Sequence, residues 1–174
     1  RRRGAVVFPA DIEKQCAAIV HRGPDDNGTW VDADFGMGMQ RLSIIDVAGG
    51  HQPIRSPDGR YVIVFNGEIY NHLELRPELE AGGYRFQTNS DTETILAGYL
   101  RWGDDVWIKL EGMYTVAIWD KDSRILTLAR DPIGIKPLFF TEQQGGIAFG
   151  SELKSLTVLT ELDFDIDDRA VHDF

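Results

Sequence analysis

"RYVIVFNGEIYN", Arg60 to Asn71, is the stretch that decides the fold. From Tyr61 to Phe65 it is an apolar run, expected as the most buried strand of the chain. It stops on Asn66-Gly67-Glu68, and the residues that follow, "EIYN" and then a helical pattern, bring no partner strand directly after the turn. Asn-Gly is a hairpin favourite, so an ordinary turn is one reading. The other is a site: glycine lets a ligand approach the backbone, the Asn66 amide and Gly67 N–H can point at one developing negative oxygen, and Glu68 can hold an ammonium or amide N–H.

Outward from that strand, Pro9 and Asp11 precede Ile12, Cys16, Ile19 and Val20, whose spacing predicts a helix ending at Gly23, with His21 and Arg22 suited to its negative end. Gly28–Asp32 and Gly36–Ile45 read as short strands, followed by a Gly49-Gly50 turn and the polar hairpin "SPDGR". "HLELRPELEAGG" is helical in composition, and Pro77 predicts a late start, because proline lacks the N–H and crowds the preceding turn. "SDTETILAGYLRWG" carries a cap at Ser90 or Asp91 and predicts a helix ending at Gly103. Met113–Asp120 and Arg124–Asp131 read as a hairpin pair, Phe139, Phe140 and Ile147–Phe149 as further strands, and "SELKSL" as a last helix. A helix, several strands, two helices and strands again require sheets covered on more than one side, so an α/β layered sandwich is expected.

At 174 residues, 43% hydrophobic and 26% charged, the chain fits one compact domain. A formal charge of -10 argues against nucleic acid or an anionic membrane as a partner, since both reward clustered Lys and Arg, and the only basic run is Arg1 to Arg3. The lone Cys16 excludes an internal disulfide and a cysteine-rich zinc site, and points to a reducing compartment, the cytoplasm. No apolar run approaches the ~20 residues of a membrane span. The chain opens on "RRRG" without Met, and is expected to begin partway into a longer gene product. His51, His72 and His172 occur singly and Asp165, Asp167 and Asp168 match no ligand pattern, so solvated surface is expected for each and no metal.

Arg41, in "QRLSIID", is either a strand-edge residue facing water or a guanidinium fork for a carboxylate. Asp91 alone reads as a helix cap. Together Arg41, Glu68 and Asp91 supply one clamp for a carboxylate and two for an ammonium, the requirements of a free amino acid, provided that they converge in space.

With these residues the chain resembles the class II, N-terminal-nucleophile glutamine amidotransferase domain, in particular that of the glutamine-dependent asparagine synthetases. The likeness rests on "HRGPDDNG" (His21–Gly28), "RLSIID" (Arg41–Asp46) with "GGHQP", "FNGEIYNHLELR" with "QTNSDTE" (Phe65–Glu93), and "LEGMYTVAIWD", "RDPIGIKPLFF" and "FGSELKSL" (Leu110–Leu156). Pro24 in "HRGPD" favours the asparagine-synthetase branch over those that amidate sugar phosphates or phosphoribosyl groups. The resemblance implies an αββα four-layer sandwich, with residues 1–160 as an amidotransferase domain lacking its first strand and 161–174 as an acidic linker toward an absent synthetase domain. It implies L-glutamine as substrate, bound by Arg41 on the α-carboxylate, by the Leu42, Ser43, Ile44 and Ile45 segment, and by Glu68 and Asp91 on the α-amino side, with Asn66 and Gly67 as oxyanion donors.

The family's nucleophile is an N-terminal cysteine thiolate whose own amine acts as base. Residues 1–174 contain no such residue. Cys16 does not replace it: it lies on an apolar helix stripe and is five residues from His21, about 140° around the helix, so a packed core thiol is expected. The leading expectation is therefore the ammonia-generating part of an ATP-dependent amide-forming enzyme, inactive as this segment alone. No cofactor is implied in this domain, ATP and magnesium are expected in the absent one, and the resemblance allows a homodimer. The alternative is a catalytically silent domain that binds glutamine or docks a partner; a sugar-phosphate amidating relative is a third reading.

Overall fold

In the computed structural model, residues 7–143 and 146–159 are described, together with Arg169 and His172. The basic run at Arg1–Arg3 and all of the expected linker but those two exposed residues lie outside the described residues.

The apolar run at Tyr61 forms β4 (Tyr61–Ile69), an inner strand of an antiparallel sheet with β3 (Ile54–Arg55), β5 (Gly112–Asp120) and β6 (Ile125–Arg130) in the order β3-β4-β5-β6. It is apolar without alternation because both faces are covered. Ile63, Phe65 and Ile69 point to one face, where they pack with Val116 and Ile118 of β5 and with Ile95 and Leu96 of α3 (Asp91–Trp102). Val62 and Val64 point to the other, against Phe35 and Met37 of β2 (Phe35–Arg41) and Ala117 and Trp119 of β5. Phe35 stacks on Trp119 at a centroid distance of 4.1 Å, a contact that adds about 1 kcal/mol beyond burial.

β2 pairs with β1 (Asp26–Asp32), and a further hairpin, β7 (Phe139–Gln143) and β8 (Gly146–Gly150), places Phe149 over the same apolar layer. On the far side of β2 lies α1 (Pro9–Ala18), which in turn meets α4 (Leu153–Thr157). Glycines alternate in β2 so that this helix can sit close: a Cβ on Gly36 would come within 2.9 Å of Ile12 Cγ1, and one on Gly38 would overlap Cys16 Sγ. On the far side of the β4 sheet, α2 (His72–Ala81) and α3 pack together. The order of layers is thus helix, sheet, sheet, helix, as expected from the resemblance.

Several boundaries differ from the sequence reading. The first helix ends at Ala18, and Val20–Arg22 forms a separate 3-10 turn before Gly23. The strand expected to reach Ile45 ends at Arg41, because the Arg41 side chain draws the following carbonyls back onto itself. α2 does not start late: it runs from His72 with Pro77 inside it. The proline leaves the Leu73 carbonyl without its helical partner, but Leu73 and Pro77 both lie on the exposed face, where water can take that carbonyl. The helix continues because Arg76 and Leu79 anchor its inner face.

Candidate functional site

A cavity of about 1220 Å³ opens between the two sheets at the C-terminal end of β4. Arg41, Leu42, Ile44, Ile45, Asn66, Gly67, Glu68 and Asp91 all line it, so the chain brings together nearly the whole set named from sequence. Ser43 lies off the cavity, its N–H held by Asp25 Oδ2 at 2.9 Å.

The edge of β4 explains why the strand ends as it does. Ile63 pairs with Ile54 of β3; the Phe65 N–H and C=O are both bonded from the same edge by the Gln52 side chain; and the Ile69 N–H donates to Asp91 Oδ2 at 3.1 Å. Strand alternation puts Gly67 in this series, between Phe65 and Ile69. β3 has ended by then, so among the described residues the Gly67 N–H faces that edge with no strand to receive it. The Asn66 side chain turns to Ser151 Oγ, which lines the same cavity, at 3.4 Å. Gly67 is required for a reason that the sequence reading missed. A Cβ there would overlap the Met113 carbonyl oxygen and stand 2.8 Å from Tyr114 Cα, so the glycine lets β5 approach from the other side.

Asp91 opens α3 behind its cap, Ser90, whose Oγ accepts from the Thr92 N–H at 3.1 Å. The Asp91 carboxylate is 5% exposed and accepts from the Ile69 and Thr92 N–H groups. Burial pushes its pKa up, and the two backbone donors offset only part of that shift. A buried carboxylate held in this way is relieved by a cation placed beside it. Glu68 faces the same space, and among the described residues its carboxylate takes no hydrogen bond.

Arg41 is 6% exposed, at the end of β2. Its Nη2 donates to the Ile45 and Asp46 carbonyls at 2.7 and 3.0 Å and its Nη1 to Val47 at 3.4 Å, while Asp26 Oδ2 lies 3.9 Å away. Among the described residues Nε and a second Nη1 hydrogen make no hydrogen bond. Gly50 gives the guanidinium room: a Cβ at that position would stand 2.5 Å from Nη2.

Two further residues that sequence reading did not single out hold the segment before Asp91. Glu93 is 3% exposed and accepts from the Gln87 and Thr88 N–H groups and the Thr88 hydroxyl. Arg76 donates to the Thr88 and Ser90 carbonyls and to Thr94 Oγ1, and its guanidinium lies 4.1 Å from the centre of the Phe86 ring. Carboxylate and guanidinium thus fix the donors and the acceptors of one loop. Asp46 ties that loop to Arg41, because its Oδ2 accepts from the Asn89 N–H at 2.8 Å while its carbonyl accepts from Arg41. Glu93 stands in "SDTE", so its place in the first turn of a capped helix was the available signal.

His72 corrects an expectation. It is 8% exposed rather than solvated, because α2 begins immediately after β4 and turns this residue inward beside Asp91. Burial lowers its pKa, against the nearby Asp91 charge, and its Nδ1 has no hydrogen-bond partner among the described residues. His51 and His172 are exposed, as expected. Cys16 is buried, and burial followed by the Glu13 charge pushes its thiol up to about 11, in accord with a packed thiol. Among the described residues no group of three His, Cys, Asp or Glu is placed to hold a metal ion, and no helix is long and apolar enough to cross a membrane.

The layers define an αββα sandwich of the N-terminal-nucleophile hydrolase type. A glutamine phosphoribosylpyrophosphate amidotransferase from B. subtilis superposes with a TM-score of 0.74 over 89% of this chain and 42% of that one, at 22% identity. A second solved structure, an allosteric regulatory enzyme of purine biosynthesis, gives 0.75 at 21% identity over the same shares of the two chains. The chain belongs to the glutamine amidotransferase domain family, whose model matches residues 4–174. It is 48% identical over 163 residues to asparagine synthetase [glutamine-hydrolyzing] 1 of Bacillus subtilis, covering 94% of this chain and 26% of that protein. It is 52% identical over 168 residues to a putative asparagine synthetase [glutamine-hydrolyzing] of Mycobacterium tuberculosis, covering 88% of this chain. The chain spans about a quarter of the length of these relatives.

Proposed function

We propose that this chain is the glutamine-hydrolysing, ammonia-generating part of an asparagine-synthetase-like enzyme that forms an amide at the expense of ATP. The observation that carries the reading is the end of β4. There the Gly67 N–H, left over by the strand ladder, and Asn66 line one cavity with the buried Asp91 and Arg41 and the half-buried Glu68. In this reading Arg41 Nε and Nη1 take the α-carboxylate of glutamine, Glu68 and Asp91 take its α-ammonium, and the side-chain amide lies at Asn66 and Gly67.

A cysteine thiolate attacks the amide carbon, and Asn66 and Gly67 stabilise the oxyanion that forms. Ammonia leaves once the amide nitrogen is protonated, and water releases glutamate from the thioester. Cys16 is not that nucleophile, for it is buried against β2 with its proton held. The proposal assigns the role to an N-terminal cysteine on a strand preceding Arg1, residues 1–160 to the glutaminase domain and 161–174 to a linker. ATP and magnesium would bind a synthetase domain outside these residues, where ammonia meets an activated carboxylate. A cytoplasmic setting suits the free thiolate, and a homodimer is compatible with this arrangement.

The test is glutamate release from glutamine by the complete gene product. Asp91→Asn keeps an acceptor for Ile69 but removes the charge, and is expected to raise KM for glutamine about 10-fold or more, the weight of a charge-assisted hydrogen bond. Residues 1–174 alone should release none. A complete gene product that releases no glutamate overturns the proposal in favour of a silent binding domain.

A further inference from the structure

The "GGHQP" stretch is not absorbed by the glutamine contacts, yet it places a buried amide in the middle of the site. Gln52 is 8% exposed. The register of β3 on β4 runs Arg55 opposite Val62 and Ile54 opposite Ile63, and two further steps bring Gln52 opposite Phe65. A strand would meet Phe65 with its backbone at that point. The Gln52 backbone is instead turned toward β1, where a Cβ on Gly28 would overlap its carbonyl oxygen. Its side chain fills the missing rung: Oε1 accepts from the Phe65 N–H at 2.7 Å and Nε2 donates to the Phe65 carbonyl at 3.1 Å. The same Nε2 donates to Thr92 Oγ1 at 3.2 Å. One amide therefore joins the residue preceding Asn66-Gly67 to the residue following Asp91.

We infer that Gln52 is a positioning residue: its side-chain amide acts as a surrogate strand that holds β4 in register, and so aims the Gly67 N–H and the Asn66 amide, without touching the substrate. The claim rests on the glutaminase reading for its effect on rate, though not for its effect on the strand. A carboxamide suits the task because it alone among side chains here offers a donor and an acceptor with peptide geometry. Removing it leaves the Phe65 N–H and C=O buried and unpaired, and they regain partners only if the strand end shifts. The Thr92 end is less dependent, since the Thr92 N–H is held separately by Ser90 and Asp91. The oxyanion donors matter only when charge develops, so the loss should fall on kcat rather than on KM.

The experiment uses the complete gene product. Gln52→Leu removes both bonds to Phe65 and the one to Thr92 at nearly constant volume. It should lower kcat for glutamate release by about 10- to 100-fold, with KM for glutamine changed by no more than about threefold. Amide hydrogen exchange should accelerate at Phe65, while Ile63, still paired with β3, keeps its protection. Gln52→Glu, which retains the acceptor for the Phe65 N–H but cannot donate to its carbonyl, should fall between Gln52→Leu and wild type, and serves if Gln52→Leu does not fold. Val106→Ala, a buried change against the far turn of α3, is the control for stability loss alone and should leave kcat unchanged. Unaltered exchange at Phe65, or an equal fall in kcat for Val106→Ala, overturns the inference. A wild-type protein that releases no glutamate defeats the functional reading instead, and exchange at Phe65 still decides whether Gln52 holds the strand.

Discussion

Gly67→Ala is the most demanding test of the site, because one methyl group strikes both the fold and the chemistry. The added Cβ would overlap the Met113 carbonyl oxygen, stand 2.8 Å from Tyr114 Cα and lie 3.0 Å from the Met113 carbonyl carbon. All three are backbone atoms of β5, so no side-chain rotation relieves the contact. β4 and β5 must part locally by on the order of 1 Å, against a ladder that continues on both sides from Tyr61–Asp120 to Ile69–Gly112. Overpacking of this kind costs ~1–3 kcal/mol. The displaced strand also carries the Gly67 N–H away from the oxyanion by a comparable distance, and loss of one such donor costs ~3 kcal/mol of barrier, about a hundredfold in kcat. Urea unfolding of the variant should show the lower midpoint, and glutamate release by the complete gene product the lower kcat. Gly59→Ala is the control: nothing lies within 4 Å of its added Cβ, and its φ of +70° makes it a change of backbone strain alone, expected to destabilise by ~1 kcal/mol without slowing catalysis. A Gly67→Ala protein with wild-type stability and kcat would refute both the cross-strand argument and the assignment of the Gly67 N–H.

Cys16 should resist alkylating and disulfide-exchange reagents at pH 8 in the folded protein and react at the ordinary rate of a free thiol in urea, because burial holds its proton up to about 11; rapid labelling without denaturant would contradict its packing under α1. Acid should weaken the fold in a defined window. Glu152 is lowered from the ordinary 4.5 to about 2, first by its hydrogen bond with His21 and then by Lys154 and Arg22. For Asp131, burial raises the pKa, but the Lys136, Ile135 and Tyr114 N–H groups outweigh it and bring 3.8 to about 2. Both folded values lie below the unfolded ones, so this stabilisation is complete above about pH 5 and is lost as pH falls toward 2. Urea midpoints measured across that range should decline, and Glu152→Gln should flatten the decline; an equally steep curve for the variant removes Glu152 from the account.

The layered fold was legible in the sequence because its signals are local. The unbroken apolar run of β4, the Ser90 cap and the apolar pair of runs that form β5 and β6 each report on one element and its burial, and the order of elements then restricts the architecture. The boundaries that shifted were set by contacts between distant residues or by exposure. Nothing in "QRLSIID" states that Arg41 will bond the carbonyls four, five and six residues on and end its own strand. The helix keeps Pro77 because that turn faces solvent, which a pattern does not reveal. The site residues were named largely through the resemblance; composition and spacing suggested three charges and an amide without showing that they meet. His72 was misjudged because a lone histidine at a helix start looks solvated until the helix is known to begin directly off the buried strand.

On the proposed function, the groups left over in the cavity also bear on why glutamine is the ligand. Near the end of β4 many polar groups are already paired within the chain: Phe65 with Gln52, Ile69 with Asp91, the loop before Asp91 with Glu93 and Arg76, and the Asp46 carbonyl with Arg41. Among the described residues, what the cavity offers a ligand includes the Gly67 N–H, the Glu68 carboxylate, the buried Asp91 carboxylate with its charge uncompensated by its two backbone donors, and guanidinium hydrogens of Arg41. A ligand that satisfies all of them presents an acceptor at one end and, at the other, a cation and an anion on adjacent atoms. A side-chain carbonyl joined to an α-amino acid has that arrangement, whereas a dicarboxylate without an ammonium would leave Glu68 and Asp91 with no counter-charge. A buried carboxylate left without a cation is costly, so on the proposed function the ammonium is what such a ligand is chosen by. Asp91→Asn should therefore lose discrimination against glutarate along with affinity for glutamine, measured as the ratio of KM for glutamine to the inhibition constant of glutarate on glutamate release; a variant that weakens both ligands equally would show that Asp91 shapes the pocket without reading the charge.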